Sequence, residues 1–276
     1  MAETKKPKKV HKIISATDGT QIEKSTAAKP AAATETVQRT VKDAKPVGNA
    51  GALRIGAVVL WVAAILFEIV GFLIVNGTIT LSFMPTLYQI IAVIVLDLLC
   101  VIIGAQLWKK ANHIAPASEA NKVKFWLWNN MGVIVCVVAF VPFVILLLTN
   151  KNLDKKTKAI ASVVAVVALL IGGVSSYDFN PVSVEQQTAA VSALGETTVY
   201  WTQFGKVYHT HEDCQALNQS DTLTQGTVDQ AIAANRTRLC AFCAKQDDIQ
   251  GVVTNDDATA LAVAAPAQDS SLAPAA

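Results

Sequence analysis

Four side chains toward the end of the chain have the types and spacing of a metal site: His209, Cys214, Cys240 and Cys243. The Cys240-Ala-Phe-Cys243 turn brings two thiolates to one tetrahedral ion, and His209 with Cys214 supplies the second pair. Three sulfurs and an imidazole fill every position of a tetrahedral Zn²⁺, which is the pattern of a structural site; a catalytic site keeps a position for water. His211 competes with His209 as the nitrogen ligand. His209, which ends the hairpin strand, is preferred. A redox-active Cys240–Cys243 pair is the other chemistry this spacing allows. Glu68 and Asp97 offer a different chemistry, because they interrupt apolar runs. An ionised carboxylate in hydrocarbon is costly, so each should face a helix bundle and find a partner. Two carboxyls at similar depth could hold one proton between them on a transport path. One acid per helix fits better with a structural hydrogen bond, for instance to Asn129 or Asn130, that fixes helix packing.

The elements that carry these residues follow from the hydropathy pattern. Four apolar runs, about Leu53–Val75, Leu87–Trp108, Phe125–Thr149 and Ala159–Tyr177, each approach the roughly 20 residues a bilayer requires. The expected fold class is therefore a membrane α-helical protein: a four-helix transmembrane bundle over 53–177, a linker over 178–196, and a small C-terminal α+β zinc-binding domain over 197–246. Cys100 and Cys136 read as small apolar fillers within spans. Trp61, Trp108, Trp126 and Trp128 fall mostly near span ends, where indoles favour the interface. Residues 1–52 form a basic head, with a net charge of +5 over the first fifty, and residues 247–276 an acidic tail with five aspartates and no Lys or Arg. Neither has much to bury, so both are expected to be disordered. The head contains no apolar h-region, so no cleavable signal peptide is expected and the first span should drive insertion.

Loop charge orients the bundle. The loop at 76–86 is uncharged, the loop at 109–124 carries Lys109, Lys110, Lys122 and Lys124, and Arg39, Lys42, Lys45 and Arg54 flank the first span. These place the N-terminus in the cytoplasm and, with four spans, the C-terminal domain too. Lys151, Lys155, Lys156 and Lys158 pull the other way.

Within 197–246, Val199–Thr202 and Lys206–His209 read as a hairpin around Gly205, and Thr227-Val-Asp-Gln230 as a capping box opening a helix that runs to about Asn235. About fifty residues bury too little to fold without a staple, so metal binding and folding should be one event. The charges of this segment cancel, which argues against nucleic acid as a partner.

The string GKVYHTHEDCQALNQSDTLTQGTVDQAIAANRTRLCAFCAK is similar to a small bacterial zinc-knuckle type and loosely resembles the metal-binding module of the Ada DNA-repair proteins. That module has four cysteines and uses one as a methyl acceptor; a His stands in one place here, so methyl transfer does not carry over. The stretch WKKANHIAPASEANKVK with the four spans resembles uncharacterised multi-pass membrane proteins of Gram-positive bacteria, a likeness over about residues 53–245 that implies no activity.

The chain thus reads as an integral membrane protein that is not an enzyme, in contact with the lipid bilayer and with a protein partner through its zinc domain. A small transporter or channel using Glu68 and Asp97 is one alternative, and a thiol-redox membrane protein is another. The sequence carries no signal for an oligomeric state.

Overall fold

The computed structural model describes residues 11–22 and 48–256. They form two compact units, the first mainly 48–185 and the second mainly 11–22 with 186–256. The remainder of the expected basic head and acidic tail lies outside the described residues.

The first unit is helical: α1 (Ala50–Val75), α2 (Thr86–Ile114), α3 (Lys122–Asn129), α4 (Met131–Thr149) and α5 (Lys155–Ser176). Four of these, α1, α2, α4 and α5, are long and apolar enough to cross a membrane. Polar caps set where two of them start. The Asn49 side chain accepts from the Ala52 N–H at 3.0 Å, and Asp154 accepts from the Thr157 N–H at 2.9 Å. The Asp154 cap starts the last span at Lys155 rather than at Ala159. The third span also differs from expectation, because the helix breaks at Asn130 and the span starts at Met131 rather than Phe125. Just before the break, the Trp128 carbonyl accepts from Trp108 Nε1 at 2.8 Å and Asn112 Nδ2 at 3.1 Å.

α1 packs on α2, α4 on α5, and α2 on α5. Small residues at the crossings let the backbones approach. A Cβ on Gly104 would lie 2.6 Å from Trp61 Nε1, and one on Gly172 would lie 2.8 Å from Cys136 Sγ. Ile90, Ile94, Phe140, Phe143, Leu147, Ala161 and Ala165 fill the core. The outward faces carry Ile55, Val59, Leu66, Val163, Leu170 and Val174, all well exposed. A continuous apolar exterior around a packed core suits lipid and not water.

The tryptophans depart from the interfacial reading. Trp61 and Trp108 are buried inside the bundle, and Trp61, Trp108 and Trp128 stack with centroids 5.3 and 5.1 Å apart. Arg54 lies 5.3 Å from the centre of the Trp128 ring and donates to the Ala115 carbonyl at 2.7 Å. Trp126 alone of the four is strongly exposed. The expected linker at 178–196 also changes. It contains helix α6 (Val184–Leu194), preceded by Asp178, which is buried against His113 at 2.9 Å. Glu185 binds the Ser118 hydroxyl and the Glu119 N–H.

The second unit is mixed. It holds β1 (Lys12–Ser15), β2 (Gln21–Ile22), β3 (Val199–Trp201), β4 (Val207–Tyr208), β5 (Thr222–Gly226), α7 (Val228–Ala233), β6 (Arg238–Leu239) and α8 (Ala241–Gln246). One sheet runs β2-β1-β5-β3, and β4 with β6 forms a two-stranded parallel ladder. The hairpin around Gly205 is reduced to one antiparallel bridge between Tyr200 and His209, because β3 takes β5 as its main partner. The capping box is present: Gln230 N–H donates to Thr227 Oγ1 at 3.3 Å, and Thr227 N–H to Gln230 Oε1 at 3.0 Å. α7 ends at Ala233, short of Asn235, which takes a positive φ of 66°.

Two boundaries of this unit correct the expectation. Residues 12–22 of the supposed disordered head form β1 and β2, and β1 pairs in parallel with β5, Ile13 opposite Leu223. The alternation in Lys12-Ile-Ile-Ser15 buries Ile13, and that burial offsets the cost of ordering the strand. The supposed acidic tail contributes up to Asp256. Leu239 N–H donates to the Val253 carbonyl at 2.9 Å, and Ala241 N–H to Asn255 Oδ1 at 2.7 Å.

Candidate metal centre

The ligand residues sit where short elements end. His209 follows β4, Cys214 caps a 3₁₀ turn (Gln215–Leu217), Cys240 follows β6, and Cys243 lies in the first turn of α8. The β4–β6 ladder sets the two halves side by side, and the Cys240 N–H donates to the Tyr208 carbonyl at 2.9 Å. Next to the ligands in sequence, Tyr208, Leu239, Ala241 and Ala244 are all buried.

The structure brings His209, Cys214, Cys240 and Cys243 together, all buried, with one donor atom from each lying within 4.8 Å of the others. Cys214 Sγ is 3.9 Å from Cys240 Sγ, and Cys243 Sγ is 3.9 Å from His209 Nδ1. Metal–sulfur bonds of about 2.3 Å at tetrahedral angles put sulfurs roughly 3.8 Å apart, so the spacing fits one ion at the centre. A disulfide would need about 2.05 Å, and all five cysteines are free thiols. His211 lies outside the cluster, partly exposed, with Nε2 2.6 Å from Asp247 Oδ1.

Backbone N–H groups surround the sulfurs. Cys240 accepts from Phe242 and Cys243, Cys214 from Ala216, and Cys243 from Thr210 and His211. Such donors spread thiolate charge and fix ligand orientation. The Cys243 thiol is held far below its usual range, first by the hydrogen bond from Cys240, then against burial by His209 and the backbone donors. Burial pushes the Cys214 thiol up. A cluster that already favours one thiolate is part-way to the deprotonated state a metal requires.

Asp247 was not legible as part of the site. Its carboxylate accepts from Thr210 Oγ1 at 2.6 Å and meets His211, which ties the segment after His209 to the end of α8. In sequence it reads as the first acid of a solvated tail. The His211 imidazole is pushed up by its hydrogen bond to Asp247, with burial opposing.

Glu68 and Asp97 lie in the other unit. Asp97 is buried and its Oδ1 has no hydrogen-bond partner. The hydrogen bond expected with Asn129 or Asn130 does not form. Asn129 donates to the Phe125 carbonyl, and Asn130 to the Trp126 carbonyl.

Comparison with protein-family models, curated proteins and solved structures gave no match.

Proposed function

We propose that this is an integral membrane protein whose C-terminal module is closed by a structural Zn²⁺ and serves as a protein-interaction or sensing platform at the membrane surface. The observation that carries this reading is the buried His209–Cys214–Cys240–Cys243 cluster at tetrahedral spacing. Three sulfurs and one imidazole suit Zn²⁺, and four protein ligands leave no position for substrate or activated water. The centre is therefore read as non-catalytic. A thiol-redox role for Cys240 and Cys243 would leave His209 and Cys214 without a purpose in the cluster. The basic loop at 109–124 and Arg54 favour a cytoplasmic side for the N-terminus and the C-terminal module, against the lysines at 151–158.

The surface offered to a partner includes Phe242, half exposed at the centre of the Cys-x2-Cys turn. An aromatic side chain held outward by a rigid knuckle is a typical interface anchor. The test is cross-linking in native membranes with three forms of the full chain. Wild type should give a defined adduct. The Cys240→Ser, Cys243→Ser form should lose it, and Phe242→Ala should lose it while retaining the metal. An adduct unchanged in both variants contradicts the reading.

A further inference from the structure

We propose that Glu68 and Asp97 together form a proton-binding site within the helical bundle. The inference rests on the membrane reading above and concerns a different part of the chain from the metal centre.

Two pairs of packed residues fix the relative depth of α1 and α2. Gly71 on α1 sits against Val93 on α2, where an added Cβ would lie 3.1 Å from Val93 Cγ1. Further along, Gly104 on α2 lies against Ala57 and Trp61 on α1. Glu68 and Asp97 fall between these two fixed points, on facing helices at one level. The two carboxyl groups lie within electrostatic reach of each other. Asp97 is only 4% exposed, and its Oδ1 is buried with no partner. Glu68 is half-buried beside a shallow groove lined by Ile69, Phe72 and Leu73, and it makes no hydrogen bond or ion pair among the described residues.

Among the described residues no cation is in reach. Along α2 the nearest is Lys109, twelve residues from Asp97 and so about 18 Å away. Along α1 it is Arg54, fourteen residues from Glu68, about 21 Å. α4 contains no cationic residue, and the last lysine of α5 is Lys158. Leu98 meets Gly172, fourteen residues beyond Lys158, so that lysine is also about 21 Å off. The other titratable neighbours are Cys100 on α2 and Cys136 on α4, both thiols. Two carboxylates in a low-dielectric interior without counter-charge or donors would cost many kcal/mol. Protons remove that cost. A protonated Asp97 also has a hydroxyl to donate, and the Glu68 carboxyl lies at the same level, within electrostatic reach. The site is thus a pair of carboxyls whose ligand is the proton.

A lipophilic carbodiimide tests this in the full chain reconstituted into vesicles. The reagent enters the bilayer and reacts only with a protonated carboxyl: the O–H adds across one C=N bond, and an O-to-N acyl shift then yields a stable N-acylurea. The whole reagent is added and nothing leaves. Mass mapping should find label at Glu68 and Asp97 and none at Asp154, which lies outside the spans. Labelling should fall roughly tenfold per pH unit once the pair ionises. Replacing Glu68 by Gln should move the pH profile of Asp97, while Asp154→Asn should leave it in place. Asp97→Asn, which mimics the neutral acid, should insert normally. Label at Glu68 and Asp97 no greater than at Asp154, or independent of pH, overturns the site. Protection by Na⁺ or K⁺ overturns it in favour of a metal cation. Flotation of the same vesicles separates the two readings. A chain that does not float overturns the membrane reading and the site with it, whereas one that floats unlabelled overturns the site alone.

Discussion

His209 and His211 stand two residues apart and have opposite surroundings. The first is buried among three sulfurs; the second is half out and bound to Asp247. His209→Ala should therefore abolish metal binding by the full chain, and His211→Ala should leave the metal content unchanged. Elemental analysis of the purified variants decides between them. Strand alternation could not separate them, since residues two apart share a face; only the place of His209 at the end of its strand favoured it in the sequence. The backbone donors to the sulfurs and the Asp247 clamp were not legible there, because both depend on how the chain turns after each ligand. A second residue-scale expectation concerns Asp178. Burial, the largest single influence, pushes its carboxyl up, but the hydrogen bond and charge of His113, the Asn180 N–H and Lys109 together outweigh it and hold the carboxyl below the usual range. A lowered carboxyl stabilises the fold above the ordinary Asp range, and that contribution is lost as pH falls through the lowered folded-state value. Asp178→Asn should cost about 2 kcal/mol near neutral pH and less in acid, read by thermal melts of the detergent-solubilised protein.

At the scale of elements, the four long helices were legible because each is an uninterrupted apolar run, and α7 because Thr227 and Gln230 form a local capping box. What escaped was non-local. The third span loses its first turn because side chains of α2 occupy the Trp128 carbonyl. The tryptophans turn inward because Gly104 leaves room for Trp61. β1 was invisible because its four residues, Lys12-Ile-Ile-Ser15, acquire a reason to be extended only from β5, some two hundred residues later. Composition made the surrounding head look featureless. Ile13 is 7% exposed, so Ile13→Ala should destabilise the second unit by about 2–3 kcal/mol. Hydrogen exchange at Leu223 and Thr224 should accelerate with it. Unchanged protection there would argue against the β1–β5 pairing.

For the whole molecule, the sheet that joins residues 12–15 to residues 222–226 predicts that the segments flanking the four apolar helices lie on one side of the membrane. Sequence charge alone left this open, because lysines flank the last span on the opposite side from the basic loop. Tags placed before residue 11 and after residue 256 should be protected or accessible together in sealed vesicles, and a thiol probe at Ser82→Cys should report the other side. Tags on opposite sides would refute the pairing and the count of crossings at once. The molecule then consists of an apolar bundle carrying two lone carboxyls and a module with a buried His/Cys ligand set, on which its folding is expected to depend. That module buries Val199, Trp201, Tyr208, Leu223, Ile232 and Leu239 between short elements, and the ligand cluster at the ends of those elements makes the metal the central claim. The most direct measurement is the zinc content of the purified full chain, with near-UV circular dichroism of the second unit's Trp201 and Tyr208 followed as a chelator is added. The account predicts one zinc per chain and loss of that signal on chelation, reversed by Zn²⁺. A chain that holds no metal, or that keeps its signal when the metal is stripped, would contradict it.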